Sequence, residues 1–105
     1  MSDVFRALAD PTRREILRVL RLGPQSAGAL ADRFPQSRST LTAHFNVLRA
    51  ADLVQTDRRG QTIYYRLNLS VLQEAIAVLL DTLGAADAAA QRTGAALTRR
   101  RRARA

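Results

Sequence analysis

Cysteine and lysine are absent from this chain of 105 residues, and histidine occurs once, as His44. Without cysteine there are no disulfides, no thiolate metal sites and no cysteine nucleophile. With one histidine, no glycine-rich phosphate loop and no evident cluster of carboxylates, the serines and aspartates lack the base that a nucleophile needs. That argues against an enzyme and implies no cofactor. Long apolar runs are missing too, and nothing approaches the roughly 20 residues of a membrane span. The first apolar stretch is short and interrupted by Asp3, Arg6 and Asp10, unlike a signal peptide. The expectation is a cytoplasmic protein with no membrane insertion. The length allows one domain with a modest core, marginal enough alone that a dimer would help it.

What is present in excess is arginine. All 17 basic residues are Arg, and the net charge is +8. Residues 1–84 hold 11 Arg and 8 acids, for +3, while residues 85–105 hold 6 Arg and 1 Asp, for +5. A GC-rich coding bias accounts for most of the preference over lysine. Even so, the planar guanidinium fork suits phosphate and guanine better than an ammonium does.

Residues 2–9 read as a short helix with Val4, Phe5 and Leu8 on one side. Asp10-Pro11 breaks it, because proline disfavours helical geometry in the residue before it. Pro11 then suits the first turn of a second helix, PTRREILRVLRL, capped by Asp10. Ile16, Leu17, Val19 and Leu20 form its buried side, leaving Arg13, Arg14, Arg18 and Arg21 mostly solvated. Ser26 caps a third helix, SAGALADRF, striped by Ala27, Leu30, Ala31 and Phe34 and closed by Pro35.

The stretch from Gln36 to Ala51 carries the functional signal. Ser37 is a good N-cap, and Leu41, Phe45 and Leu48 recur at helical spacing, so one face is held in a core. Ser39, Thr42, Ala43 and Asn46 fall on or near the opposite face. They are short and uncharged, where a merely solvated face would carry Glu, Lys and Gln. Bounded by Arg38 and Arg49, this face suits a helix lying close against something flat and anionic. Two short helices joined by a tight turn make a helix-turn-helix, and the second reads as a DNA recognition helix. The competing reading is a plain helical hairpin in a bundle.

The next segment decides against the bundle. LVQT and QTIYYRL are β-rich and flank Asp57-Arg58-Arg59-Gly60, predicting a hairpin with two arginines at its tip. Val54, Ile63, Tyr65 and Leu67 are expected inward, with Thr62, Tyr64 and Arg66 outward. Placed directly after a helix-turn-helix, such a hairpin becomes a wing. Ser70 caps a fifth helix, VLQEAIAVLLDTL, ended by Gly84. Its stripe of Leu72, Ile76, Leu79, Leu80 and Leu83 is wider than one small domain requires. We expect part of it to be buried against a second copy, together with Val4, Phe5 and Leu8. The predicted architecture is therefore mainly α with a small β-hairpin, a winged helix-turn-helix in the order α-α-α-α-β-β-α, forming a homodimer. Residues 1–84 make the DNA-binding and dimerisation domain. Residues 85–105 are an Ala/Arg-rich extension, helical at first and then a basic run that serves as an arm on phosphates or as a solubilising tail.

Three segments, VFRALADPTRREILRVL, STLTAHFNVLRAADLV and RRGQTIYYRLN, make residues 2–84 resemble the ArsR family of winged helix-turn-helix repressors. The first segment and the GQ-x-IYY-x-LN wing resemble its SdpR-like autorepressor branch in particular. The resemblance implies a homodimer joined through the first and fifth helices, binding double-stranded DNA at a palindromic operator. It places base reading on Arg38, Ser39, Thr42 and Ala43, with Thr40 and Asn46 as phosphate or edge contacts and Arg58, Arg59 and Gln61 at the wing tip. Ala43 can offer only close approach or a thymine-methyl contact. Many members of the family sense metals through Cys on the third helix or Asp and His on the fifth. Here the third helix has no Cys, the fifth offers only Glu74 and Asp81, and His44 sits on the flank of the recognition helix. A transition-metal site needs several N or S donors, so no metal ligation is expected. Derepression would then come from a sequestering protein partner or from an apolar small-molecule inducer between the fifth helices, and the sequence does not choose. Two other functions compete with a specific repressor: a non-specific architectural DNA-binding protein, and a winged-helix module for protein interaction. The short polar helix face speaks against the first, and the wing arginines and basic charge against the second.

Overall fold

A computed structural model of the chain describes residues 1–84. The extension expected over 85–105 lies outside the described residues. The chain divides into two units, Met1–Ala75 and Ile76–Ala105. The first holds α1 (Ser2–Leu8), α2 (Pro11–Leu20), β1 (Gln25–Ser26), α3 (Ala27–Ala31), α4 (Arg38–Ala50), β2 (Val54–Arg59) and β3 (Thr62–Leu67). It also holds the start of α5 (Leu69–Thr82). Of the second unit, the remainder of α5 is described, followed by Leu83 and by Gly84 at φ +60°. That glycine supplies the left-handed turn expected just past the helix end.

Side-chain caps start three of the helices where the sequence places them. The Asp10 carboxylate accepts from the Arg13 backbone N–H at 3.0 Å. Ser26 Oγ accepts from Ala29 N–H at 3.1 Å, and Ser37 Oγ from Thr40 N–H at 3.2 Å. Each satisfies a donor that the first helical turn leaves without a partner. The core of the first unit gathers Val4, Ala7, Ile16, Leu17, Leu20, Leu30, Leu41, Phe45, Leu48, Leu53 and Val54, all buried. Leu41, Phe45 and Leu48 anchor α4 in it, so the opposite face of that helix is turned outward.

Helix α3 is shorter than its sequence stripe suggests. Beyond Ala31 the bonds tighten to a three-residue span, from Arg33 N–H to the Leu30 carbonyl and from Phe34 N–H to the Ala31 carbonyl, both 3.2 Å. Pro35 explains this, since the residue before a proline avoids the α region. A strand of two residues, β1, was not expected at all. It pairs antiparallel with β3, Gln25 opposite Tyr65 and Ser26 opposite Tyr64, giving a three-stranded sheet in the order β1-β3-β2. Two residues are too few to show a period.

The turn out of α4 aims the wing. Asp52 takes φ +59°, Asp52 N–H bonds the Arg49 carbonyl and Leu53 N–H reaches back to the Leu48 carbonyl, both at 3.0 Å. This is the Schellman closure of a helix, with aspartate where glycine is usual and with buried Leu48 and Leu53 as its apolar pair. Val54 follows at once as the first residue of β2.

Candidate nucleic-acid interface

Helix α4 presents one continuous outward stripe. Arg38, Ser39, Thr42, Ala43, Asn46, Arg49 and Ala50 are exposed, while Leu41, Phe45 and Leu48 are buried beneath them. Their spacing puts Arg38 and Arg49 along one edge and Ala43 along the other, with Thr42, Asn46 and Ser39 between. A helix of this length runs about 20 Å, enough to lie along a major groove. Thr40 is exposed but turned toward the N-terminal cap: Ser37 Oγ donates to Thr40 Oγ1 at 2.9 Å and shares a 3.1 Å bond with Ser39 Oγ. Arg38 lies 3.7 Å from Asp32 with both side chains exposed, a pairing worth little in water and readily exchanged for a phosphate.

The wing is tighter than expected. Residues 57–59 belong to strand β2 instead of a four-residue loop, and Arg59 pairs with Thr62 across the two-residue turn Gly60-Gln61. Gly60 adopts φ +62°, the conformation that such short loops reserve for glycine. Because side chains alternate along a strand, Arg58 and Arg59 project from opposite faces of the hairpin. Arg58 shares its face with Ile63, and its Nε donates to the Gly60 carbonyl at 3.2 Å. Arg59 shares the other face with Asp57 and Tyr64, bonding the Asp57 carboxylate at 3.3 Å and lying 5.2 Å from the centre of the Tyr64 ring. Gln61 is exposed in the turn. Tyr65 packs inward as expected, its ring 5.0 Å from that of Phe45. Ile63 does not pack inward: it is 39% exposed, because the hairpin extends past the core that its inward face would meet. Tyr64, expected outward, is half-buried.

The residues assigned to a second copy separate into three groups. Val4 is only 5% exposed and belongs to the core of its own chain, which removes it from any partner surface. Phe5, Leu8 and Leu72 are half-buried. Ile76, Leu79, Leu80 and Leu83 are exposed by 40–75%. Arg13, expected in solvent, is half-buried and bonded across three helices; its spacing of three, four and seven residues from Ile16, Leu17 and Leu20 places it on the buried face of α2, a signal its charge masked. Among the described residues, no group of three or more His, Cys, Asp or Glu is arranged to hold a metal ion. No described helix is long and apolar enough to cross a membrane.

A helix-turn-helix whose second helix is locked into the core on one side and offers a short polar face on the other, followed by an arginine-bearing hairpin, defines a winged-helix DNA-binding protein. Comparison with known proteins agrees. Residues 8–57 match the family described as a helix-turn-helix domain. The transcriptional repressor SdpR of Bacillus subtilis is 41% identical over 87 residues, which span 83% of this chain and 97% of that one. The solved structure of an ArsR-like transcriptional regulator from Rhodococcus sp. RHA1 superposes with a TM-score of 0.71 at 39% identity, covering 93% of this chain and 89% of its own. A crystal structure of another ArsR family transcriptional regulator gives a TM-score of 0.73 at 26% identity, over 82% and 89% of the two chains. The chain belongs to the ArsR family of transcriptional repressors. Its members are DNA-binding regulators and not enzymes.

Proposed function

We propose that this chain is a cytoplasmic, dimeric repressor of its own gene, controlled by something other than metal. Residues 1–84 form its DNA-binding and dimerisation domain. Each copy lays α4 in a major groove, so the two recognition helices of a dimer sit about 34 Å apart on a palindromic operator. Arg38, Ser39, Thr42 and Ala43 read base edges, with Thr40 and Asn46 supporting them at phosphates or base edges. Arg58, Arg59 and Gln61 of the wing add backbone contacts, which set affinity and register without carrying sequence information. The exposed leucines and isoleucine of α5, with Phe5 and Leu8, join the two copies. Relief of repression comes from a sequestering protein or from an apolar small molecule.

The observation that carries this reading is the outward face of α4: a stripe of Ser, Thr, Ala and Asn with arginine on its edge, backed by fully buried Leu41 and Leu48. Short side chains let a helix backbone approach a groove floor closely, where long charged ones would hold it away. The likeness to SdpR over nearly its whole length supports repression as the outcome. Selection from a random duplex library tests the reading. A two-fold symmetric consensus with half-sites one helical turn apart is expected, and recovery of duplexes sharing no consensus would overturn it.

A further inference from the structure

The guanidinium of Arg13 is where three helices meet. Its Nε donates to the Ala7 carbonyl at 2.8 Å and one terminal nitrogen donates to the Arg6 carbonyl at 3.0 Å, both at the end of α1. The neighbouring Arg14 donates to the Leu8 carbonyl at 2.8 Å. Two consecutive cations of α2 thus close the carbonyl end of α1, where positive charge also complements the helix dipole. The remaining terminal nitrogen of Arg13 lies 3.3 Å from Nδ1 of His44, on α4. Arginine offers only donors, so in this contact Nδ1 of His44 is the acceptor. Asp10 completes the cluster, capping α2 through the Arg13 backbone N–H with its carboxylate 3.8 Å from the same Nδ1.

His44 does not face outward with the reading stripe. Its side chain is only 17% exposed and sits between the core stripe and the reading face, next in sequence to Ala43. The rest of the seat of α4 is apolar, made by Leu41, Phe45 and Leu48. Apolar burial decides which face of α4 is inward, but being non-directional it fixes the last few degrees of rotation less firmly. A charge-assisted hydrogen bond is directional. A second polar tie at the start of the helix, from Gln36 Nε2 to Thr12 Oγ1 at 3.0 Å, also runs to α2.

We propose that Arg13 is a positioning residue for DNA reading: acting through His44, it sets the rotation of α4 and hence where Thr42, Ala43 and Asn46 meet base edges. The proposal rests on the reading of α4 as the recognition helix. It separates two consequences that mere folding would not, since a rotated helix loses discrimination between sequences while its arginines still find phosphates.

The test compares binding to the selected duplex with binding to a scrambled one, for Arg13→Met, His44→Leu, their double variant and His44→Asn. Thermal melting and dimer mass serve as controls. Arg13→Met and His44→Leu should each cut the ratio of the two affinities about tenfold, the size of one charge-assisted bond, while scrambled-duplex affinity stays within about twofold. The double variant should lose no more than Arg13→Met alone, because the Arg13–His44 bond is already gone in each single. His44→Asn, whose amide oxygen can stand where Nδ1 stood, should recover most of the ratio. A folded His44→Leu protein with unchanged discrimination, or singles that add in the double, would overturn the proposal. If Arg13→Met does not fold, the two His44 variants carry the test alone. Ser39→Ala with Thr42→Ala in the same series distinguishes the two levels. If that pair keeps discrimination, α4 is not the reader; if it loses discrimination while His44→Leu does not, only the positioning role fails.

Discussion

Ser39 and Thr42 are hydroxyls on an exposed helix face with little to do for the fold, so replacing both with alanine isolates their role in reading. We expect Ser39→Ala with Thr42→Ala to erase preference between duplexes in a titration while the dimer mass stays unchanged; a pair that still discriminates would move the reading face elsewhere. Asp10 makes the opposite kind of contribution, to stability. Its carboxyl lies below the ordinary value of 3.8, chiefly because the Arg13 backbone N–H bonds its charged form, with burial opposing and with the charge of Arg13, and of the His44 ring when it is protonated, helping. A carboxyl held low in the folded state stabilises above the unfolded value, and that contribution fades as pH falls through the lowered one. Asp10→Ala should therefore cost about 1 kcal/mol at neutral pH, the usual size of an N-cap, with the gap to the parent closing below about pH 4. Denaturant titrations at neutral and acid pH check this, and a gap that stays constant with pH would contradict it. The caps were legible residue by residue, since Asp10, Ser26 and Ser37 each act on the next turn of their own helix. The Arg13–His44 pairing was not, because the two lie 31 residues apart and on different helices.

At the scale of elements, helical period identified α1, α2, α4 and α5, and capping and proline placed the starts of α2 and α4, whereas α5 begins at Leu69, ahead of the Ser70 expected to cap it, and α1 has no side-chain cap. What period could not reach was short or topological. Strand β1 has two residues, and the end of α3 was governed by Pro35, not by its apolar stripe. The wing shows the gap most clearly. Reading residues 57–60 as a loop put both arginines together at a tip, whereas the ladder continues to the Arg59–Thr62 pair and sends them to opposite faces. The functional expectation changes with it. Arg58→Ala and Arg59→Ala should have unequal effects, since one orientation of the wing can turn only one face to the duplex. Whichever matters more should weaken specific and scrambled duplexes alike, and reduce the slope of log affinity against log salt by about 1. Equal effects from the two single variants would contradict the alternating geometry.

At the scale of the whole molecule, a chain of 105 residues exposes Ile76, Leu79 and Leu80 along one helix and Leu83 just past its end, more apolar surface than an isolated small domain tolerates well. Leu79→Glu with Leu80→Glu should give a monomer by light scattering that retains its melting transition and loses most of its affinity for a two-half-site duplex, since each copy then binds one half-site alone. A dimer that survives would place the interface elsewhere. All of this depends on one claim, that the face of α4 reads sequence. Titration of the parent protein against its own upstream DNA and a scrambled duplex, at low and at moderate salt, tests it most directly. A clear preference for the upstream DNA that persists as salt rises is expected. Equal binding to both duplexes that collapses with salt would contradict it, and would mark the protein as a non-specific binder of the DNA backbone.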